Sequence, residues 1–157
     1  MAATINIYSC LTEHLNRSTI DPDTDQFLIT FLKSSYTANI NSHTQLSDLN
    51  LASNEFSITQ FGYTAGGMVC SPLTVSRTNN ITTVSLPNFT LTSAGGTLPV
   101  WRTYAIFGNV TRNGVTGPLV CYGLGNDAGG GTDIGPKVDG AGFTLRWNVS
   151  GLYRVQS

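Results

Sequence analysis

The chain has 157 residues, enough for one domain that buries its own core without disulfides or a structural metal. Only 11% of the residues are charged and the formal net charge is −1, so there is no strong field to hold nucleic acid or an anionic membrane. Neutral polar residues replace the charge, with 21 Thr, 14 Ser and 13 Asn, which favour strands and turns over helices. Composition therefore predicts one β-rich domain over residues 1–157.

The N-terminal residues have neither the basic start nor the unbroken apolar run of a secretion signal. No run approaches the roughly 20 apolar residues of a membrane helix, so we expect synthesis in a cytoplasm. Ile7, Leu11 and Leu15 recur every four residues. This period predicts a short amphipathic helix from Ile5 to Arg17.

An acidic turn follows, in which Asp21, Asp23 and Asp25 surround Pro22. The one-three-five spacing of the carboxylates is that of a calcium loop, but Gln26 and Leu32 stand where an EF-hand needs Gly and Glu. We therefore favour a structural turn over a calcium ligand set. The apolar run from Gln26 to Leu32 predicts a strand in which Phe27, Ile29 and Phe31 face one way.

The polar stretch from Ser34 to Glu55 predicts a long loop with one helical turn around Thr44 to Leu49. Short β-forming runs then alternate with turn residues, which is typical of an antiparallel sandwich or barrel, jelly-roll-like in outline. The predicted strands of this region are Met68–Cys70, Leu73–Ser76, Ile81–Leu86 and Phe89–Thr92.

In the second half, Val100–Phe107 and Leu119–Tyr122 predict the two strands of a hairpin. The glycine-rich stretch from Gly123 to Gly142 predicts a second long loop. Two further strands are predicted, Phe143–Trp147 and Leu152–Val155, with Asn148–Gly151 between them. Phe143, Leu145 and Trp147 alternate, which indicates a half-buried strand.

The residues that could carry chemistry are few. His14 and His43 stand at no metal-ligand spacing, and Cys10, Cys70 and Cys121 are widely separated, which favours three free, inert thiols. Gly125–Thr132 has Gly131 where a phosphate loop needs Lys. The sequence therefore predicts no catalytic residue, no metal ligand and no cofactor.

Six aromatic residues could be imagined as a carbohydrate-binding platform. Their strand spacing favours core and rim packing instead. They are Trp101, Tyr104, Phe107, Tyr122, Trp147 and Tyr153.

Four blocks carry a resemblance to a known group of proteins. They are Asp23–Thr37, Gly62-Tyr-Thr-Ala-Gly-Gly67, Arg102-Thr-Tyr-Ala-Ile-Phe107 and Phe143–Leu152. An acidic turn feeding an apolar strand, a Gly-Tyr-x-x-Gly-Gly turn and a closing Phe-x-Leu-x-Trp strand resemble small virion proteins of tailed bacteriophages. The resemblance implies a non-enzymatic capsid decoration (cement) protein, or, as the alternative, a tail- or fibre-associated module that binds a receptor or glycan.

A decoration protein would bind the major capsid protein on the virion surface, together with copies of itself as a dimer or trimer. Neutral Thr, Ser and Asn surfaces suit such contacts, because they form hydrogen bonds without burying unpaired charge. They also avoid attraction to the genome. We expect the stretches Ser34 to Glu55 and Gly123 to Gly142 to be the adaptable contacts, carried on a rigid β-core.

Overall fold

A computed structural model describes residues 4–56, 61–70, 73–125, 133–147 and 153–156. The described chain is mainly β, with antiparallel sheets and few short helices, as predicted. Its strands are β1 (Thr4–Ile7), β2 (Phe27–Leu32), β3 (Met68–Val69), β4 (Thr74–Thr78), β5 (Ile81–Ser85), β6 (Phe89–Thr92), β7 (Thr103–Gly108), β8 (Thr111–Arg112), β9 (Val115–Thr116), β10 (Leu119–Leu124), β11 (Gly142–Leu145) and β12 (Tyr153–Gln156). Its helices are α1 (Leu11–Asn16), a 3₁₀ turn (Leu46–Leu49) and α2 (Leu51–Asn54).

A five-stranded sheet in the order β1-β10-β7-β2-β3 forms the centre. The predicted hairpin is confirmed, because β7 and β10 are antiparallel neighbours. The ladder between them shifts register between Leu119 and Cys121, a β-bulge that inserts one extra residue into β10. The sheet ends at β1 and β3, so the described residues form no closed barrel and the barrel alternative is wrong there.

The central sheet is buried on both faces. Phe27, Ile29 and Phe31 project into one core, as predicted from their alternation, and Leu32 projects into a second core on the opposite face. Every residue of β7 is buried, which explains why its residues from Tyr104 to Phe107 form a continuous apolar run rather than an alternating one.

The first core lies between the central sheet and two smaller sheets. One is the pair β6 and β11, and the other has the order β12-β5-β4. Phe89 and Leu91 of β6 and Leu145 of β11 pack into this core. The predicted strands after residue 68 are therefore confirmed, while the Asn148–Gly151 turn lies outside the described residues.

The N-terminal helix is shorter than predicted. It covers Leu11–Asn16, and residues 4–7 form β1 instead. Ile5 and Ile7 fit both a helical period and a strand alternation, and pairing of β1 with β10 decides between them. Leu11 is buried in the core beneath the helix, as the amphipathic pattern requires.

Candidate functional site

The histidines and cysteines that could carry chemistry lie in structural positions. Burial raises the pKa of the Cys10 thiol to about 11 and that of Cys70 to about 12, and it raises the pKa of Cys121 further. All three thiols are free, buried and protonated at neutral pH, which makes them poor nucleophiles. Buried His14 donates from Nε2 to the carbonyl oxygen of Thr44, 2.9 Å away.

His43 ends a chain of hydrogen bonds between aromatic side chains. The Tyr8 hydroxyl lies 3.1 Å from that of Tyr36, which lies 2.9 Å from Nδ1 of His43. Burial raises the pKa of both tyrosines, so the phenols stay neutral. This chain of hydrogen bonds ties the 36–43 segment to the central sheet.

The acidic turn uses its carboxylates internally. The Asp25 carboxylate accepts from the backbone N–H of Asp21 at 2.8 Å and pairs with Arg112 at 2.7 Å. An oxygen of Asp21 accepts from the backbone N–H of Asp23 at 3.0 Å. These contacts support the structural turn. Within the described ranges no group of three or more His, Cys, Asp or Glu side chains is placed to hold a metal ion.

Most of the aromatic residues considered as a platform are in the interior. Trp101, Tyr104 and Phe107 are buried, and Trp147 is half-buried, with Nε1 donating to the carbonyl oxygen of Pro87 at 2.6 Å. Half-buried Tyr122 lines an open cleft of about 280 Å³, while the side chain of Tyr153 lies outside the described residues. Packing therefore accounts for most of the set.

The predicted loop from Ser34 to Glu55 packs as a cover over the second face of the sheet. Its predicted helical turn is confirmed as the 3₁₀ turn Leu46–Leu49, and α2 follows it. Tyr36 and Leu49 are buried against the sheet. Thr44 accepts from the backbone N–H of Leu119 at 3.0 Å, and Gln45 forms a β-bridge with Pro118. The apolar anchors of this polar segment hold it against the sheet, because packing there removes their apolar surface from water.

A shallow depression of about 410 Å³ lies on the outer side of this cover. We call it the 45–52 depression, and its lining contains no charged residue. The lining is Gln45, Leu46, Ser47, Asn50, Leu51, Ala52 and Thr116. Leu46 and Leu51 supply the largest apolar surface, while amides and hydroxyls supply donors and acceptors around it.

The backbone beneath the 45–52 depression is held by Asp48. Its carboxylate accepts from the N–H groups of Thr44 at 2.7 Å and Gln45 at 3.1 Å. Burial opposes ionisation of Asp48, but these hydrogen bonds outweigh it and keep the pKa of the carboxyl below its ordinary value. Asn50 adopts the left-handed conformation, with φ of 47°, that joins the 3₁₀ turn to α2.

Gly117 fixes the position of Leu46. Its φ is +62°, and a Cβ added there would lie 2.5 Å from the Cβ of Leu46. A side chain at 117 would therefore displace Leu46 from the depression. A second, smaller pocket of about 150 Å³, which Gly117 lines, adjoins the first and shares Leu46 and Thr116 with it.

The second predicted loop, Gly123 to Gly142, is structured where it is described. Ile134 and Lys137 form β-bridges with Trp101 and Leu98, and Arg102 pairs with Asp133 at 2.7 Å. Residues 126–132, the centre of the glycine-rich stretch, lie outside the described residues. These β-bridges could not be predicted from the sequence, because a single pair of extended residues produces no repeating pattern of apolar residues.

Comparison with known proteins gives no relative. No family model matches the chain, and neither a curated protein nor a solved structure is significantly similar to it. None of the helices in the described ranges is long and apolar enough to cross a bilayer.

Proposed function

We propose that the chain is a non-enzymatic structural protein of a tailed-bacteriophage virion, and specifically a capsid decoration protein. It binds the major capsid protein on the outside of the shell and stabilises it there. The observation that carries this proposal is the 45–52 depression, an uncharged hollow with an apolar floor on a rigid support. The block resemblance to phage virion proteins agrees with it.

The chemistry of the depression suits attachment to a protein surface. An apolar side chain of the partner can cover Leu46 and Leu51, while Gln45 and Asn50 offer hydrogen bonds at the edge. No charge has to be desolvated, so the free energy of binding is not reduced by that cost. Repetition over the shell then turns a modest contact into high occupancy.

The arrangement of the sheets supports the role of a rigid carrier. We propose a β-sandwich, jelly-roll-like in outline, in which the central sheet faces β6, β11 and the β12-β5-β4 sheet across the first core. Loops and short helices on such a framework are held in place for binding. The proposed role requires no cofactor, nucleic acid or membrane, and the protein acts on the virion after synthesis in the host cytoplasm.

The experiment uses capsids that lack the protein and measures occupancy after purified protein is added back. Ala52→Arg places a long cation in the depression, and Ser53→Arg, at the next exposed residue of α2, is the matched control. We expect A52R to lower affinity at least about tenfold, the effect of about 1.4 kcal/mol, and S53R to bind like the wild type. Equal binding by both variants would remove the interface from this depression.

Particle reconstruction tests the role itself. A decoration protein covers the whole lattice, so density in every capsomer is expected. Binding should persist at moderate salt, since the lining is uncharged. Absence from the shell would overturn the proposal.

A tail- or fibre-associated module that binds a receptor or glycan is the second candidate, and one observation favours it. The 280 Å³ cleft brings Tyr122 and Tyr36 together with Arg102, a combination of aromatic and polar groups that suits a sugar. Density restricted to the tail, together with loss of glycan binding in Tyr122→Ala, would replace the first proposal with this one.

A further inference from the structure

Strand β4 is an exposed edge. Among the described residues it pairs only with β5, in the three-stranded sheet of order β12-β5-β4, and each of its five residues is exposed. Val75 is 40% exposed although it is a large aliphatic residue in a strand. No other strand with described side chains is exposed at every position.

The hairpin geometry tells which backbone groups of β4 point outward. Thr78 pairs with Ile81 across a two-residue turn, and such a turn closes on a hydrogen-bonded pair. Hydrogen-bonded pairs then alternate along the ladder, so Thr74, Ser76 and Thr78 bond to β5. The N–H and C=O groups of Val75 and Arg77 therefore point away from β5.

This edge lacks the usual protection against pairing. Edge strands are commonly blocked by Pro, Lys or a β-bulge. β4 contains neither Pro nor Lys, and its five pairs with β5 run without a register shift. Its one charged side chain, Arg77, donates from Nε to the carbonyl oxygen of Asn79 at 3.2 Å, which holds the guanidinium along its own hairpin.

We propose that β4 pairs antiparallel with β4 of a second copy of this chain, across a two-fold axis at Ser76. In this register Val75 lies opposite Arg77 of the partner subunit, and both are outward-pointing residues. Each such pair exchanges two backbone hydrogen bonds, and the two-fold axis generates two pairs. Two three-stranded sheets become one sheet of six strands.

The sequence of β4 selects this register over its neighbours. A two-fold axis at Arg77 places two guanidinium groups directly opposite each other, which is unfavourable. An axis at Val75 moves Arg77 beyond β4, opposite Leu73. The axis at Ser76 instead places Thr74 opposite Thr78 of the partner subunit, and cross-strand threonine pairs are favourable.

Cysteine cross-linking tests the register in solution. Cα atoms of a directly opposed pair that is not hydrogen-bonded are about 4.5 Å apart, within disulfide range. Ser76→Cys should therefore form a disulfide-linked dimer under mild oxidation. Thr74→Cys is the matched control, because its two copies are offset by four residues, about 13 Å. The native thiols are buried and give little background.

We expect S76C to cross-link at least about tenfold faster than T74C, with both variants melting like the wild type. Equal rates, or no dimer from S76C, would overturn the proposal. Charge gives an independent test. Val75→Glu faces Arg77 of the partner subunit and should strengthen association at low salt, whereas Val75→Lys should weaken it, with a difference of about tenfold or more. Equal association of these two variants by sedimentation would also overturn it.

The β4 pairing itself does not depend on the proposed function. Only the role of the dimer rests on it: the dimer would link neighbouring decoration proteins on the shell. The cross-linking assay contains no capsid, so its failure leaves capsid binding untouched. Failure of the A52R occupancy assay, in turn, leaves the β4 pairing untouched.

Discussion

Phe31 is the residue whose truncation should damage this fold most. It is fully buried on β2, and its ring lies against five other aromatic rings. The ring centroids are 4.9 Å away for Trp101, 5.2 Å for Phe143, 5.7 Å for Phe56, 5.8 Å for Phe89 and 6.1 Å for Tyr63. Phe89 lies on β6 and Phe143 on β11, so Phe31 joins the central sheet to the sheet of β6 and β11.

Phe31→Ala should lower the free energy of unfolding by about 3–5 kcal/mol. The upper half of that range applies, because five rigid rings from different elements cannot close the cavity by small rotations. Urea denaturation followed by fluorescence measures the change. In a domain of this size about 4 kcal/mol also corresponds to a melting temperature roughly 8–16 °C lower.

Phe31→Leu is the control, because it keeps most of the volume and should cost less than about 1.5 kcal/mol. The reasoning fails if Phe31→Ala costs no more than Phe31→Leu. A cost below about 1 kcal/mol would mean that the ring is not at the centre of the first core.

Trp147→Ala should lower the free energy of unfolding by about 2 kcal/mol, less than the 3–5 kcal/mol of a fully buried ring, because Trp147 is half-buried. Thermal melting measures the change, and an unchanged melting temperature would contradict it. Asp48→Asn should lower the free energy of unfolding by about 1 kcal/mol at pH 7. The pKa of the Asp48 carboxyl in the folded protein lies below its ordinary value, so the difference from the wild type should vanish as pH falls through that folded pKa. Urea titrations at several pH values test it. The three thiols should react with Ellman's reagent only on the timescale of unfolding, and rapid labelling of the native protein would contradict their burial.

Alternation of apolar residues predicted the strands well. Phe27, Ile29 and Phe31 face one core, and the hairpin of β7 and β10 was visible from two short apolar runs. The four-residue helical period gave a wrong prediction for the residues of β1, because Ile5 and Ile7 suit a strand as well as a helix. Pairing with β10, more than a hundred residues later, decides the structure there, and no local pattern contains that information.

The candidate site was only partly predictable. The sequence indicated a helical turn near Leu49, but composition alone made the segment from Ser34 to Glu55 look like a loose loop. Its packing depends on Leu49 and Tyr36 finding the second face of the sheet. The 45–52 depression depends in turn on Gly117, whose role as the neighbour of Leu46 is set by tertiary structure.

The order of strands in the central sheet also determines when the chain can fold. Thr4 pairs with Leu124, and Phe27 pairs with Gly108, so β1 and β2 each wait for a partner strand that is made much later. Loop closure over such distances is slow, and folding in the range of milliseconds to seconds is expected. During synthesis the β4 and β5 hairpin can form early, whereas β1 stays unpaired until the ribosome has released β10. Of the described strands, β1 is therefore the one separated from its partner by the longest stretch of chain.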